Sequence, residues 1–106
     1  VLVHKEEKSR FLEVSKRILT EFHGESPLSS DSFCRIISVR HFDRLVGLLG
    51  ELAPSEVLHG GRFDRSTLKM EIALVEADKS KRVHREEIFG PILPVIEWET
   101  EEDIRR

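Results

Sequence analysis

A chain of 106 residues, of which 39% are hydrophobic and 35% are charged, can form one domain at most, or part of one. The apolar content is too high for a disordered chain, and a net charge of −3 argues against a general nucleic-acid binder, which is normally basic. No apolar run approaches the roughly 20 residues that a membrane-spanning helix needs. The single cysteine, Cys34, excludes an internal disulfide and fits a reducing compartment, so we expect a cytoplasmic location.

The first part of the chain is predicted to form a strand and an amphipathic helix. Residues 1–3 are apolar and β-branched, which is typical of a strand. From Lys5 to His23, apolar residues recur at helical spacing, and Gly24 is placed to end the helix. The apolar stripe consists of Phe11, Leu12, Val14, Ile18, Leu19 and Phe22. We expect this stripe to face the core. A helix on a membrane surface is less favoured, because the polar face mixes both signs of charge.

A second amphipathic helix is predicted over Val39–Leu49, with Ser38 as its N-cap and Gly50 at its end. Its predicted apolar face consists of Val39, Phe42, Leu45, Val46 and Leu49. This face resembles that of a helix packed on a sheet.

The second half of the chain is predicted to contain short strands. Residues 56–59 form one, which the turn pair Gly60-Gly61 closes, and residues 68–75 alternate between apolar and polar side chains as a half-buried strand does. A third strand covers residues 92–98, where Pro94 lacks an amide donor and should lie at an edge, a bulge or a ligand-facing position. Thr100 is placed to begin a last helix.

Strands separated by helices indicate an α/β fold with short, mostly parallel strands and two amphipathic helices. The sequence opens inside a strand and stops one turn after the helix start at Thr100. We therefore expect these residues to be part of a larger domain.

The usual candidates for reactive groups are weak in this sequence. Cys34 has no base beside it, so we expect a small, buried, non-catalytic side chain. The five histidines lack metal-ligand spacing, and one cysteine cannot build a structural zinc site, so no metal is expected. Gly60-Gly61 is too short to cradle a phosphate. The sequence therefore predicts no catalytic residue among these groups.

The stretch from Glu86 to Pro91 reads Glu-Glu-Ile-Phe-Gly-Pro and precedes a strongly apolar run. One interpretation is a solvated turn whose phenylalanine packs inward; the other is a polar edge that a strand presents to a ligand. On an extended chain Glu87 and Phe89 share a face, because side chains alternate. A carboxylate can accept hydrogen bonds from both hydroxyls of a ribose, and an aromatic ring can pack on a flat heterocycle. The residues alone leave both interpretations open.

This hexapeptide resembles the EEIFGP signature of the aldehyde dehydrogenase superfamily, and further segments resemble its class 3, fatty-aldehyde branch. Residues 1–4 resemble the strand that follows the family's nucleophilic cysteine. Residues 35–45 resemble its RIIS..HF.RL segment, and residues 59–69 its GG..DR..L stretch. The resemblance covers essentially the whole chain. Residues 1–106 are thereby identified as part of a catalytic domain with a three-layer-like arrangement.

The resemblance implies that the complete protein oxidises aldehydes to carboxylic acids with NAD or NADP. It implies that Glu87 binds the nicotinamide ribose hydroxyls and that Phe89 packs near the nicotinamide. The nucleophilic cysteine, the general-base glutamate and the cofactor domain are expected before Val1, and the oligomerisation elements of a homodimer after Arg106. No catalytic residue is therefore expected in this chain.

Two functions remain open at this stage. The first is an oxidoreductase segment that is active only within a longer chain. The second is a non-catalytic, truncated remnant that acts as a folding or protein-interaction module, since open strands at its ends would offer edges for pairing. The sequence decides neither the preferred aldehyde nor NAD against NADP.

Overall fold

The computed structural model describes residues 1–105, which form an α/β fold, as predicted. In chain order the helices and strands are β1 (Leu2–His4), α1 (Lys8–His23), α2 (Val39–Gly50), β2 (Val57–His59), β3 (Phe63–Asp64), β4 (Lys69–Met70), β5 (Ala73–Val75), β6 (Ile92–Pro94), β7 (Ile96–Trp98) and α3 (Glu101–Arg105). Short 3₁₀ turns lie in the connections at 27–29, 54–56 and 82–84.

The strands form three small sheets. β5 is the central strand of one sheet, between antiparallel β2 and parallel β6, while β1 pairs in parallel with β7. β3 and β4 form an antiparallel hairpin. Each parallel pairing has three register pairs and each antiparallel pairing has two. Two of these pairings are parallel, the type predicted to predominate, whereas the two antiparallel pairings were not anticipated.

The prediction of one half-buried strand over residues 68–75 is wrong, because the chain changes partners within it. The amide of Glu71 donates to the carbonyl of Arg62 (2.8 Å), whereas the amide of Ala73 donates to the carbonyl of Pro91 (2.8 Å). β4 therefore ends before β5 begins. All three residues of β5 are buried, and Glu71, on the predicted polar face, is only 5% exposed and ion-paired with Arg62.

The predicted strand over residues 92–98 is likewise divided, into β6 and β7. The amide of Val95 donates to Val75 (2.7 Å) in one sheet, and the amide of Ile96 donates to Val1 (2.8 Å) beside the other. Pro94 is the last residue of β6, which is an edge strand of its sheet within residues 1–105. The predicted edge position of Pro94 is therefore confirmed.

The hydrophobic core lies between α2 and the sheet that contains β5. The buried cluster consists of Phe42, Leu45, Leu48, Met70, Ala73, Val75, Val83 and Ile92. Three of these side chains belong to α2, and they include Leu48, which the predicted face omitted, while Val39 of that face is exposed. Ser38 caps α2 as predicted, because its hydroxyl accepts a hydrogen bond from the amide of His41 (3.2 Å).

The helix α1 is less buried than its apolar stripe predicts. None of its residues is fully buried, and Phe22 is 73% exposed. The helix begins at Lys8 rather than Lys5, because the preceding residues form a turn in which the amide of Glu7 donates to His4 (2.9 Å). Within residues 1–105, no helix combines the length and the apolar content that crossing a membrane requires.

Candidate functional site

The segment of residues 86–91, termed here the 86–91 loop, connects the 3₁₀ turn at 82–84 to β6. Its last residue, Pro91, is bonded through its carbonyl to the central strand β5. The loop thus leads directly into the buried sheet, and α2 packs against that same sheet. These elements fix both ends of the loop.

Alternate residues of the loop are held against α2 and its surroundings. The guanidinium of Arg44 donates from Nη1 to Oε1 of Glu86 (3.1 Å), and its Nη2 donates to the carbonyl oxygen of Ile88. The side chain of Ile88 packs against the core cluster. Glu86 is also within 4.0 Å of Arg82. Glu86 is therefore an anchoring residue rather than a free acid.

Gly90 completes this anchoring by its close approach to α2. A Cβ atom at position 90 would lie 2.5 Å from Cδ2 and 2.6 Å from Cδ1 of Leu45, which is fully buried. Such distances are far below ordinary van der Waals contact, and a close-packed core yields little space. Glycine at this position thus allows the loop to lie on the helix.

The two intervening side chains, Glu87 and Phe89, point away from these anchors. Glu87 is exposed and forms no hydrogen bond or ion pair within residues 1–105, and Phe89 is 80% exposed. The interpretation in which the phenylalanine packs inward is therefore wrong. Phe89 also has φ = 50°, in the left-handed region that bulky residues rarely adopt.

This arrangement leaves a carboxylate and an aromatic ring available on a fixed support. An ionised carboxylate only accepts hydrogen bonds and can take two from neighbouring hydroxyls. An aromatic face binds flat heterocycles by stacking. A free carboxylate and a free ring two residues apart, on a loop anchored at 86, 88 and 90, fit a ligand that carries both a diol and a flat ring.

The other residues considered from the sequence form no reactive site. Cys34 is exposed rather than buried, because the neighbouring side chain, Phe33, is the one that turns into the interior. Cys34 makes no hydrogen bond to any described residue. Among residues 1–105, no three His, Cys, Asp or Glu side chains converge to hold a metal ion. Gly60 and Gly61 lie in the connection between β2 and β3, with left-handed φ of 71° and 86°.

A cavity of about 300 Å³ lies elsewhere, between the end of α1 and the turn after β2. Its walls include His23, His59 and the buried Glu71. The carboxylate of Glu71 is already engaged, because Arg62 donates to it from Nε (2.9 Å) and Nη2 (2.8 Å). No residue of the 86–91 loop lines this cavity, which therefore belongs to a different part of the fold.

Sequence reasoning did not find the anchoring role of Arg44 and Leu45. Both belong to a stretch that matches the family pattern, but the contact from Arg44 to Glu86 spans 42 positions. Helical periodicity does place Arg44 beside the apolar face of α2, which was the one available signal. The partner of a side chain at such a border is decided by tertiary packing.

The fold and the 86–91 loop define this chain as an α/β segment that presents an exposed carboxylate and an exposed aromatic ring at one edge. The model of the aldehyde dehydrogenase family matches residues 1–106. The chain belongs to the aldehyde dehydrogenase family.

Two relatives and one solved structure illustrate the similarity. The chain is 36% identical over 98 residues to aldehyde dehydrogenase family 3 member H1 of Arabidopsis thaliana, covering 91% of the chain and 20% of that protein. It is 37% identical over 90 residues to the dimeric NADP-preferring aldehyde dehydrogenase of Rattus norvegicus, covering 84% and 19%. The substrate-bound structure of Staphylococcus aureus AldH superposes with a TM-score of 0.89 at 30% identity, covering 97% of the chain and 22% of that structure.

The chain thus spans about a fifth of the length of the curated relatives that it matches. The likeness extends across nearly all of this chain, and its relatives include members of aldehyde dehydrogenase family 3. The predicted resemblance to the class 3 branch is confirmed.

Proposed function

We propose that residues 1–106 form part of the catalytic domain of an NAD- or NADP-dependent aldehyde dehydrogenase that oxidises aldehydes to carboxylic acids. Membership of the family and the NADP preference named for the rat relative support this proposal. The contribution of this chain is one wall of the site that binds the nicotinamide ribose. The observation that carries the proposal is the unpaired, exposed carboxylate of Glu87 beside the exposed ring of Phe89.

Each residue of the wall has a separate role. Glu87 accepts hydrogen bonds from the two ribose hydroxyls, and Phe89 packs near the nicotinamide ring. The bound cofactor supplies a hydride acceptor. The residues of this chain bind and orient it, because the anchors at 86, 88 and 90 fix where Glu87 and Phe89 can reach.

The reactive groups of the proposed enzyme lie outside these residues. Cys34 supports this assignment, since it is exposed in the connection before α2 and has no base bonded to it within residues 1–105. A thiol nucleophile needs a base or another means of lowering its pKa. We therefore assign the nucleophile and the general base to other segments of the complete protein.

The first prediction concerns Glu87→Ala in the complete protein that carries this chain. A hydrogen bond to a charged group contributes about 1.5–3 kcal/mol, so the loss of even one of the two ribose bonds corresponds to a roughly tenfold to hundredfold weaker affinity for NAD(P), and the variant should show at least this loss. Direct titration with the cofactor and steady-state KM for the cofactor measure this effect.

The matched control is Glu13→Ala, which removes an exposed glutamate of α1 that forms no ion pair within residues 1–105. Cofactor affinity should be unchanged in this variant. If Glu87→Ala binds NAD and NADP as tightly as the control does, Glu87 has no part in the cofactor site and the proposal fails.

We also propose a homodimer as the assembly of the complete protein and the cytoplasm as its location. The word dimeric in the name of the rat relative supports the first. The single cysteine, an exposed free thiol, supports the second, because reducing compartments preserve free thiols. Sedimentation of the complete protein and imaging of a tagged copy test these two assignments.

A further inference from the structure

We infer that Arg44 is a positioning residue for the cofactor wall, fixing Glu87 by holding the residues on both sides of it. This inference rests on the proposed function, because it concerns how Glu87 is presented to the nicotinamide ribose. Within residues 1–105, Arg44 forms no hydrogen bond or ion pair with Glu87 itself.

The geometry of the contacts carries the inference. Nη1 of Arg44 binds the carboxylate of Glu86 (3.1 Å) and Nη2 binds the carbonyl of Ile88, so one guanidinium group spans the residues before and after Glu87. The donors of a guanidinium lie in one plane at fixed separation. One bond to the Glu86 side chain and one to the Ile88 backbone together restrain residues 86–88 more tightly than either bond could alone.

The surroundings of Arg44 make this contact selective. The side chains of Arg44 and Glu86 are 27% and 33% exposed, so the pair is partly shielded from water. The other arginine near Glu86 is Arg82, whose Nη1 lies 4.0 Å away and whose Nε is bound to Glu51 at 2.6 Å. Arg44 is therefore the principal partner of Glu86.

The consequence for binding is pre-organisation. A loop that must be ordered when a ligand binds loses affinity, whereas a loop ordered beforehand does not. Because Arg44 belongs to α2, which packs in the core through Leu45, the loop takes its position from a helix of the buried core. Removing the guanidinium group of Arg44 should leave the position of Glu87 less restrained, without altering the Glu87 side chain itself.

The test uses Arg44→Lys in the complete protein, with Arg65→Lys as the matched control. Lysine keeps the positive charge but cannot hold two acceptors in a fixed plane. Arg65 forms a similar two-bond pair with Asp43 of α2 (2.9 and 3.1 Å), but this exposed pair has no hydrogen bond or ion pair to the 86–91 loop within residues 1–105. Both variants are compared by amide hydrogen exchange of residues 86–89 without cofactor, and by direct titration with NAD(P)H.

We expect Arg44→Lys to speed exchange in residues 86–89 and to weaken NAD(P)H binding about tenfold, the loss of one charge-assisted hydrogen bond. KM for the aldehyde should stay within about twofold, because the role proposed for Glu87 and Phe89 concerns the cofactor. Arg65→Lys should change none of these quantities. If Arg44→Lys does not fold, Glu86→Gln provides the same comparison, since it weakens the same contact and keeps Arg44.

Unchanged exchange and unchanged NAD(P)H affinity in the folded variant would overturn the inference. Its failure is distinct from failure of the proposed function. If Glu87→Ala weakens cofactor binding but Arg44→Lys does not, only the positioning role is lost. If neither variant affects the cofactor, both the positioning role and the proposed site are wrong.

Discussion

Phe89 combines an exposed aromatic side chain with a left-handed backbone, a combination that stability does not favour. Its φ of 50° places Cβ in a crowded position. Its ring is 80% exposed, so burial of the ring contributes little stability to offset this crowding. Strained residues of this kind cluster at binding sites, where the surrounding structure maintains them. At Phe89 the surrounding structure is the anchored 86–91 loop.

We predict that Phe89→Gly stabilises the protein while weakening cofactor binding. Glycine adopts this φ without steric cost, so the free energy of unfolding should rise by about 1 kcal/mol. Loss of the ring should lower NAD(P)H affinity, because the stacking surface is removed. Chemical denaturation measures the first effect and fluorescence titration the second.

Phe89→Ala serves as the control, since it removes the ring but keeps a Cβ at positive φ. It should weaken the cofactor equally without the gain in stability. Full cofactor affinity in both variants would show that the exposed ring is not part of the site.

At the residue scale, the sequence was enough to predict that Glu87 and Phe89 share a face, but not which residues hold the 86–91 loop in place. Side-chain alternation placed Glu87 and Phe89 on one face, and both are exposed together. The assignment of the cofactor to that pair stays a prediction. The contact from Arg44 to the loop could not be derived, because no local pattern encodes a partner 42 positions away.

The contact between α2 and the 86–91 loop depends on the absence of a side chain at Gly90. We predict that Gly90→Ala destabilises the protein by about 1–3 kcal/mol, the usual cost of forcing an extra methyl into a packed core. The new Cβ would meet Leu45 at 2.5 Å, and the loop must shift to relieve this contact. Thermal or chemical unfolding measures the loss.

Gly50→Ala is the control, because a Cβ at the end of α2 would meet nothing within 4 Å. That substitution should be neutral or slightly stabilising. The double variant Leu45→Val with Gly90→Ala should recover part of the lost stability, as expected for two residues in contact. Additive effects of the two substitutions would contradict the proposed packing.

Helices were easier to predict than strands, for a physical reason. The ends of α1 and α2 follow from local hydrogen bonds: the amide of Gly24 donates to Thr20 (2.8 Å), and Ser38 caps α2. Strand boundaries depend on which strand lies alongside. The break between β4 and β5 and the break at Val95 both occur where the chain changes partner, which apolar alternation does not report.

On the scale of the whole molecule, Lys8 joins the first helix to strands from the second half of the chain. Its Nζ lies 2.8 Å from carboxylate oxygens of both Glu76 and Glu97. Glu76 follows β5 and Glu97 lies in β7, so this one ammonium group links α1 to two sheets. Since α1 buries none of its residues fully, this tether is a substantial part of its attachment.

We predict that Lys8→Met destabilises the protein by about 0.2–1 kcal/mol for each of these partly exposed ion pairs. Denaturant midpoints measure the change. Lys16→Met is the control, since Lys16 is an exposed residue of α1 with no ion pair within residues 1–105. Equal midpoints for the two variants would show that the ion pairs of Lys8 do not stabilise the protein.

The ion pairs of Lys8 also predict that the stability of the protein depends on pH. The hydrogen bonds that the Lys8 ammonium donates to the carboxylates of Glu76 and Glu97 raise the pKa of Lys8 above its ordinary value. A raised pKa means that the folded state holds the proton more tightly. The stabilisation is therefore complete below the unfolded pKa of about 10.4 and is lost as pH rises through the folded value. The Lys8→Met variant should lack this contribution to the loss of stability at alkaline pH, whereas Lys16→Met should retain it.

A crystal structure of the complete protein with NAD(P) bound would show whether these residues form one wall of a nicotinamide-ribose site. We expect both ribose hydroxyls of the nicotinamide half within about 2.5–3.0 Å of the Glu87 carboxylate, with the Phe89 ring beside the nicotinamide. A structure in which other residues hold those hydroxyls while Glu87 remains in solvent would rule this site out.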